Sequence, residues 1–489
     1  MSRVLLSVAL SFAWLPAACS GGGAGDRVDA ILIGDDAPLL ADGLRLDQPQ
    51  QVVRAATTEG LVAFDETGQI VPALAERWIV TDDGLSYIFR LRDIDGPDGE
   101  PVEASEIRRA LEGARGRLGG TSLGLDLAVI DEVRAMTGRV IEIRLKSPLP
   151  GFLQLLAQAE MGVLPAGTAL GPMRAVDTPP GVTLAALSPE QRGLPTMEDW
   201  QDAYRPVTVR RLPAAAAVAR FRDGDADLVT GGTLASFPLA DPGPLSRGTI
   251  RLDAAIGLFG LAIHTQEGFF ADPANRRALS LAIDRDALIE PFNIGGWVPA
   301  TRIVPAALSP EGEAAPERFA GLALEARRAQ AAARVAAWEA ANATDLSVRI
   351  GLPEGPGADQ LFAEIAEDLA AVGITATQTT PGDGAELELR DRLARYGGAS
   401  WFLNQFNCSL RAGLCSPRAD ALVAAAMAEP NAIAQRQLLE SAEEALLEAE
   451  VFVPLGMPVR WSLVRGDLSG FAENVFAVHP LFPLALRPI

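Results

Sequence analysis

Residues 278–290, ALSLAIDRDALIE, set two helical signals back to back with a charged knuckle between them. Leu279, Leu281 and Ile283 carry an apolar face up to Asp284-Arg285-Asp286, and Leu288-Ile289 resume it before Pro291. Upstream, Asp272-Pro273 is a strong helix start, with the aspartate as cap and the proline at the first helical position. Asp284 is placed to begin the second helix, its carboxylate accepting the N–H of Asp286 or Ala287 where the helix dipole favours negative charge. Ala278, Leu279, Ala282 and Ile283 are spaced to pack inward. This pattern predicts a structural corner fixing the angle between two helices, not a catalytic aspartate.

The chain around this corner is too long, at 489 residues, for one ordinary core, so two or three domains are expected. Hydrophobic residues at 48% and charged residues at 21% are those of a globular protein. A net charge of −21 excludes sequence-independent nucleic-acid binding, which needs a basic face. At the N-terminus, Arg3 precedes the apolar run VLLSVALSFAWLPAA, too short for a permanent span of ~20 residues and suited to a cleaved export signal over 1–18. Small residues before Cys19 resemble the bacterial lipoprotein signal, in which that cysteine is acylated; Pro16 stands where Leu or Val is usual, with Leu15 one place further out. Residues 19–27, rich in glycine, read as a tether. With Cys19 lipidated, Cys408 and Cys415 remain as an even pair in an oxidising compartment, and a local disulfide is expected.

Secondary-structure signals alternate along the chain. DAILIG and QVVRAA (51–56) read as strands, and so do YIFRLRDI, VIEIRLKS, VTVRRL and ADLVTGG. EASEIRRALEGARGRL reads as a helix with a capping-type start at Ser105, and AAAAVARFRDG as one ended by Gly224. After GLFGLAIHT (257–265), an apolar strand, come the knuckle, a long alanine-rich helix, and further strand and helix signals ending in the strand-like VFVPLGMPVRWSLV. This βαβ rhythm implies mixed sheets covered by helices.

Three stretches carry a family resemblance. EGLVAFDETGQIVPALAERWIVTDDGLSYIFRLR (59–92), followed by DGEPVEASEIRRAL, has a strand pair leading through Pro72–Trp78 to Asp83-Gly84 and an F-x-L-R strand. LAIHTQEGFFADPANRRALSLAIDRDALIEPFNIGGWVPATRIVP (261–305) holds a crossing strand, an arginine-rich helix and the AIDR knuckle, and DGDADLVTGG (223–232) is the third. Together they resemble the large extracytoplasmic solute-binding proteins of ABC importers, in the peptide/nickel-binding group. The resemblance implies a two-lobed periplasmic-binding-protein-like α/β fold of type II, in the large class with an extra subdomain in the first lobe. The expected lobes are 28–257 plus 456–489, with the subdomain near 61–160, and 258–455, hinged at strands near 257–265 and 452–462. It further implies a monomer held to the membrane by its lipid in the periplasm or cell envelope. Such a protein captures a small-molecule or peptide ligand, delivers it to ABC permease and ATPase subunits, and needs no cofactor.

The family's peptide binders present a carboxylate to the ligand's α-ammonium group from a W-x-x-D segment; the matching segment here is Trp401-Phe-Leu-Asn404, so the acid is an amide. The expected cleft residues are Thr58, Glu59, His264, Trp401, Asn404 and Gln405; with the acid gone, a neutral, anionic or N-blocked ligand is expected in place of a free ammonium, the alternative being that Glu59 or another acid restores the charge. Against transport stand two readings from other classes, a receptor or chaperone for exported proteins and an exported serine hydrolase. Gly120-Thr-Ser122-Leu-Gly124 matches G-x-S-x-G but lacks the strand before and helix after that a hydrolase elbow requires. A metal site built from Cys408, Cys415 and the two distant histidines, His264 and His479, is not expected.

Overall fold

The computed structural model describes residues 26–96, 99–163, 170–241, 248–309 and 315–488; the export signal, Cys19 and nearly all of the tether lie outside them. The largest sheet has seven strands in the order Ile250–Asp253, Arg460–Val464, Leu228–Thr233, Val28–Ile33, Val207–Leu212, Gly181–Ala186, Met173–Thr178. Val28–Ile33 pairs parallel with both neighbours, Val207–Leu212 and Leu228–Thr233. It is apolar on both sides because both faces are covered: Val28, Ala30 and Leu32 enter one core with Val207 and Val209, and Ile31 another with Ala217 and Phe221.

A five-stranded sheet follows, ordered Thr375–Thr379, Ser347–Gly351, Leu387–Leu393, Gly257–Ile263, Phe452–Gly456. The chain passes directly between these two sheets at 254–256 and again at 457–459. A smaller antiparallel sheet, Ala75–Val80, Ser86–Leu91, Val140–Leu145, Ile130–Met136, makes a third layer. Its apolar face, with Phe89, Ile141 and Ile143, shares one core with Tyr396, Trp401, Phe402 and Leu446 from the helical side of the five-stranded unit. The result is a two-lobed α/β protein whose lobes are in contact. Behind the crossing, Gly355 (φ +144°) and Gly357 let a helix start meet the 234–239 turn; a Cβ on Gly357 would lie 2.0 Å from the Leu234 carbonyl oxygen.

Several local readings change. QVVRAA belongs to the helix Gln48–Thr57, opened by a capping box between Asp47 and Gln50 with a proline in its first turn. The valine pair suggested a strand, but the start signal three residues upstream outweighs β-propensity. The helix Ala104–Arg117 is capped at Glu103, paired with Glu106, and not at Ser105.

The knuckle is structural, yet its organiser is not Asp284. The helix Pro273–Ala282 is capped by Asp272, while the second segment, Ala287–Phe292, is a 3-10 turn with no side-chain cap. Arg285 is buried between them, and its Nε donates to the carbonyls of Ala300 (2.9 Å) and Pro454 (2.8 Å). Its Nη1 reaches the Ser280 and Ile283 carbonyls at 3.1 and 3.3 Å, and Nη2 the Ser280 hydroxyl at 2.9 Å. Burial with no carboxylate in contact lowers its pKa to about 9. In the same lobe Cys408 and Cys415 are bonded, with Cα atoms 5.2 Å apart. Their loop is pinned by the Leu414 N–H on the Ile263 carbonyl (2.7 Å) and by Arg390 on the Ala412 carbonyl.

Arg285→Met removes every donor that the corner uses and leaves buried carbonyls short of partners. A loss of about 3–5 kcal/mol is expected in denaturant unfolding, in the range for breaking a buried charged network. A loss below about 1 kcal/mol would show that packing alone holds the corner.

Candidate functional site

A cavity of about 560 Å³ opens between the seven-stranded and five-stranded units. One wall is the helix Gln48–Thr57 and the residues after it, including Gln51, Thr58 and Glu59. The opposite wall is Asp391–Arg395, where the central strand Leu387–Leu393 ends, with Trp401 and Gln405 on and after the helix Ala399–Asn404. Arg460 and the 476–480 segment close a third side.

Three buried ion pairs frame this space. Glu59 is held by Arg92, whose Nη1 also donates to the Arg192 carbonyl at 2.8 Å; burial pushes the Glu59 carboxyl up, against the pull of the Arg92 and Arg192 charges. Asp391 meets Arg460 at 2.8 Å, and here too burial raises the carboxyl while Arg460 opposes it. Glu160 takes Arg395 in a bidentate grip at 2.9 and 3.0 Å and accepts a further bond from Gln51 at 3.2 Å. The last two pairs bridge the lobes.

Arg392 differs from these arginines: its side chain has no hydrogen bond or ion pair among the described residues, while its backbone pairs with the strand Gly257–Ile263. It is exposed to the cavity but crowded by protein, and burial together with the Arg395 charge lowers its pKa. The Trp401 indole, 2% exposed and edge-on to Phe402 at 4.8 Å, has no acceptor for Nε1. His479 stacks on Phe471 at 4.4 Å and sets Nε2 3.1 Å from Asp253 Oδ2, leaving Nδ1 without a partner.

Of the residues singled out from the sequence, Thr58, Glu59, Trp401 and Gln405 meet at the cavity, and His264 and Asn404 are not in its wall. His264 lies 3.5 Å from Glu388; burial lowers its pKa, and the Glu388 charge opposes that. Asn404 turns away, its Nδ2 donating to Asp126 Oδ1 at 2.7 Å. The Tyr396 hydroxyl donates to the same oxygen at 3.0 Å and lies 2.9 Å from the Ser400 hydroxyl. Asp391, Arg392, Arg395 and Arg460 escaped the sequence reading. The signal for Asp391 and Arg392 was the alternation in LELRDRL, apolar at Leu387, Leu389 and Leu393 with charges between. Ser122 lies in the wall but begins the short helix Ser122–Asp126 after a turn, so no strand presents it as a nucleophile.

Residues 69–180 and 198–405 match the family described as bacterial extracellular solute-binding proteins, family 5. The chain belongs to this family. Family 5 proteins are the solute-binding components of ABC importers, and the relatives found are binding proteins, not enzymes. One is the glutathione-binding protein GsiB of Salmonella paratyphi A, 24% identical over 487 residues, covering 87% of this chain and 88% of the relative. Among solved structures, Haemophilus influenzae OppA in complex with the peptide RPPGFSPFR superposes with a TM-score of 0.77 at 18% identity, over 96% of this chain and 99% of that one. The Escherichia coli murein tripeptide binding protein MppA gives 0.76 at 20% identity, over 95% and 99%. Its unliganded open form gives 0.64 at 20% identity, over 95% and 98%.

Asp126 has a measurable consequence. Fully buried, its carboxyl is raised to about 7, chiefly by desolvation, while the hydrogen bonds from Asn404 and Tyr396 favour the charged form. Between the unfolded value, near 4, and that folded value, the native state holds a proton the unfolded chain has released, so stability falls as pH rises through this window. Asp126→Asn keeps an acceptor for Asn404 and Tyr396 without the charge. The variant's stability advantage should grow from pH 4 to pH 7, reaching on the order of 3 kcal/mol. A difference independent of pH in thermal melts would refute the assignment.

Proposed function

We propose that this chain is the lipid-anchored, monomeric receptor of an ABC importer, capturing a peptide-like or other small polar solute by hinge closure and passing it to a membrane permease. The carrying observation is the cavity itself, walled by both lobes and bridged across its edges by Glu160–Arg395 and Asp391–Arg460. In this reading the lobes are 28–257 plus 456–489 and 258–455, the connectors 254–256 and 457–459 are the hinge, and Thr58, Glu59, Trp401 and Gln405 touch the solute. A ligand contacting both walls favours closure only through that differential contact. Relatives described as binding glutathione, a nonapeptide and a murein tripeptide support a peptide-like solute. No cofactor takes part.

Screening the purified mature domain by thermal shift against peptides, sugars, opines and metal chelates tests the reading. A true ligand at a hundredfold its Kd adds ~2.7 kcal/mol to stability and should contract the solution-scattering profile. If no class raises the melting temperature and none changes the scattering, the protein is not a solute receptor.

The anchor places the protein in the periplasm or cell envelope. More than one acyl chain on Cys19, at ~0.8 kcal/mol per buried CH₂, would make release negligible. Mass spectrometry of the native N-terminus is expected to find a lipidated Cys19; an unmodified cysteine, or a chain starting beyond it, refutes the anchor.

A further inference from the structure

We propose that Arg392 selects the solute: it binds a ligand carboxylate, and the cleft admits anionic, N-blocked peptide-like molecules in preference to those with a free ammonium group. The inference rests on the solute-receptor reading and adds the ligand's charge.

Charge pairing in the cavity wall carries it. The acidic residues among its lining are Glu59 and Asp391, each already paired with its own arginine, Arg92 and Arg460. Arg395 is spent on Glu160. Arg392 is left over, so the cavity carries one uncompensated guanidinium inside a chain whose net charge is −21. No acidic solute would be drawn in by the protein as a whole; the positive charge is local, at the end of the central strand. A guanidinium with free N–H groups matches a carboxylate in two parallel charge-assisted bonds, and crowding by protein strengthens them relative to open water.

The neighbours point the same way. Trp401, on the same wall, is 2% exposed and sits in the apolar core, so it offers an ammonium no charge. His479 sets Nε2 3.1 Å from Asp253 Oδ2, and an imidazole brings no negative charge to neutralise an ammonium. Asn404 cannot help a cation either, since its amide is turned into the Asp126 pocket. An ammonium in the cavity would therefore meet a bare arginine and no free carboxylate, and its desolvation would go uncompensated.

The test uses tripeptide pools in three charge forms: N-acetylated with a free carboxylate, N-acetylated with a C-terminal amide, and free-amine with a C-terminal amide. Binding to the mature protein and to Arg392→Gln, a substitution at an exposed position that should leave folding intact, is measured by calorimetry. The acid pool should bind the unmodified protein at least tenfold more tightly than either amide pool. In Arg392→Gln that preference should fall to within about twofold, and Arg392→Lys should restore part of it. A free-amine pool that binds as well as the acid pool overturns the proposal, as does a preference that survives Arg392→Gln. Failure of all three pools, with the protein shown to be folded by circular dichroism, also overturns it, while a hit elsewhere in the wider screen would leave the receptor reading standing.

Discussion

The burial of Glu160 sets the terms for the rest of the cleft. This carboxylate is 2% exposed on the short turn Ala159–Met161, and a charge so placed is tolerable only if its oxygens are satisfied. One partner, Gln51, comes from the neighbouring helix of the same lobe; the stronger one, Arg395, comes from the other lobe. In the hinge closure proposed above, closing the cleft and pairing Glu160 are a single event. When the lobes part, both charges return to water and regain hydration, so the pair adds little net energy to closure. What it adds is geometry, because an imperfect closure would strand a buried carboxylate.

Three further interlobe bonds have the same character. Asp391 meets Arg460, the Ser147 hydroxyl donates to the Met427 carbonyl at 2.9 Å, and Gln435 donates to the Pro148 carbonyl at 3.1 Å. Each replaces a bond to water with one to protein, worth only about 1 kcal/mol net. These polar exchanges do not decide closure in the proposed mechanism, and the larger contact between the two sides is the apolar core shared by Phe89, Ile141, Tyr396 and Trp401. The guanidinium left unmatched in the cavity wall is that of Arg392, the group to which the proposal above gives selectivity.

Much of the architecture could be read from the sequence, because buried strands and capped helices announce themselves locally. GLFGLAIHT became the central-sheet strand Gly257–Ile263, and Asp272-Pro273 began its helix as the start signal requires. The errors have local causes. At QVVRAA two β-branched residues imitated a strand inside a helix whose cap lies upstream. At the knuckle the aspartates drew notice, whereas the arginine between them makes the bonds, since its long side chain reaches carbonyls up to 169 residues away. The strand Leu387–Leu393 was missed because Asp391 stands where its alternation calls for an apolar residue, and Asp391 and Arg392 both stand in the cavity wall. Its irregularity as a strand and its role in the wall have the same origin.

Asn404 shows why a site is harder to read than a fold. Judged within its own segment, it is an acid turned into an amide, a lost counter-ion for a ligand. In the folded chain it faces Asp126, 278 residues earlier, at 2.7 Å. An aspartate at 404 would put two carboxylates in contact in a fully buried pocket, where only one could ionise. The residue at 404 is therefore dictated by the one at 126, and no local motif holds that dependence. The same substitution has a consequence for the ligand: with the amide committed to Asp126, this segment brings no negative charge to the cavity, and the charge left to face a solute is that of Arg392.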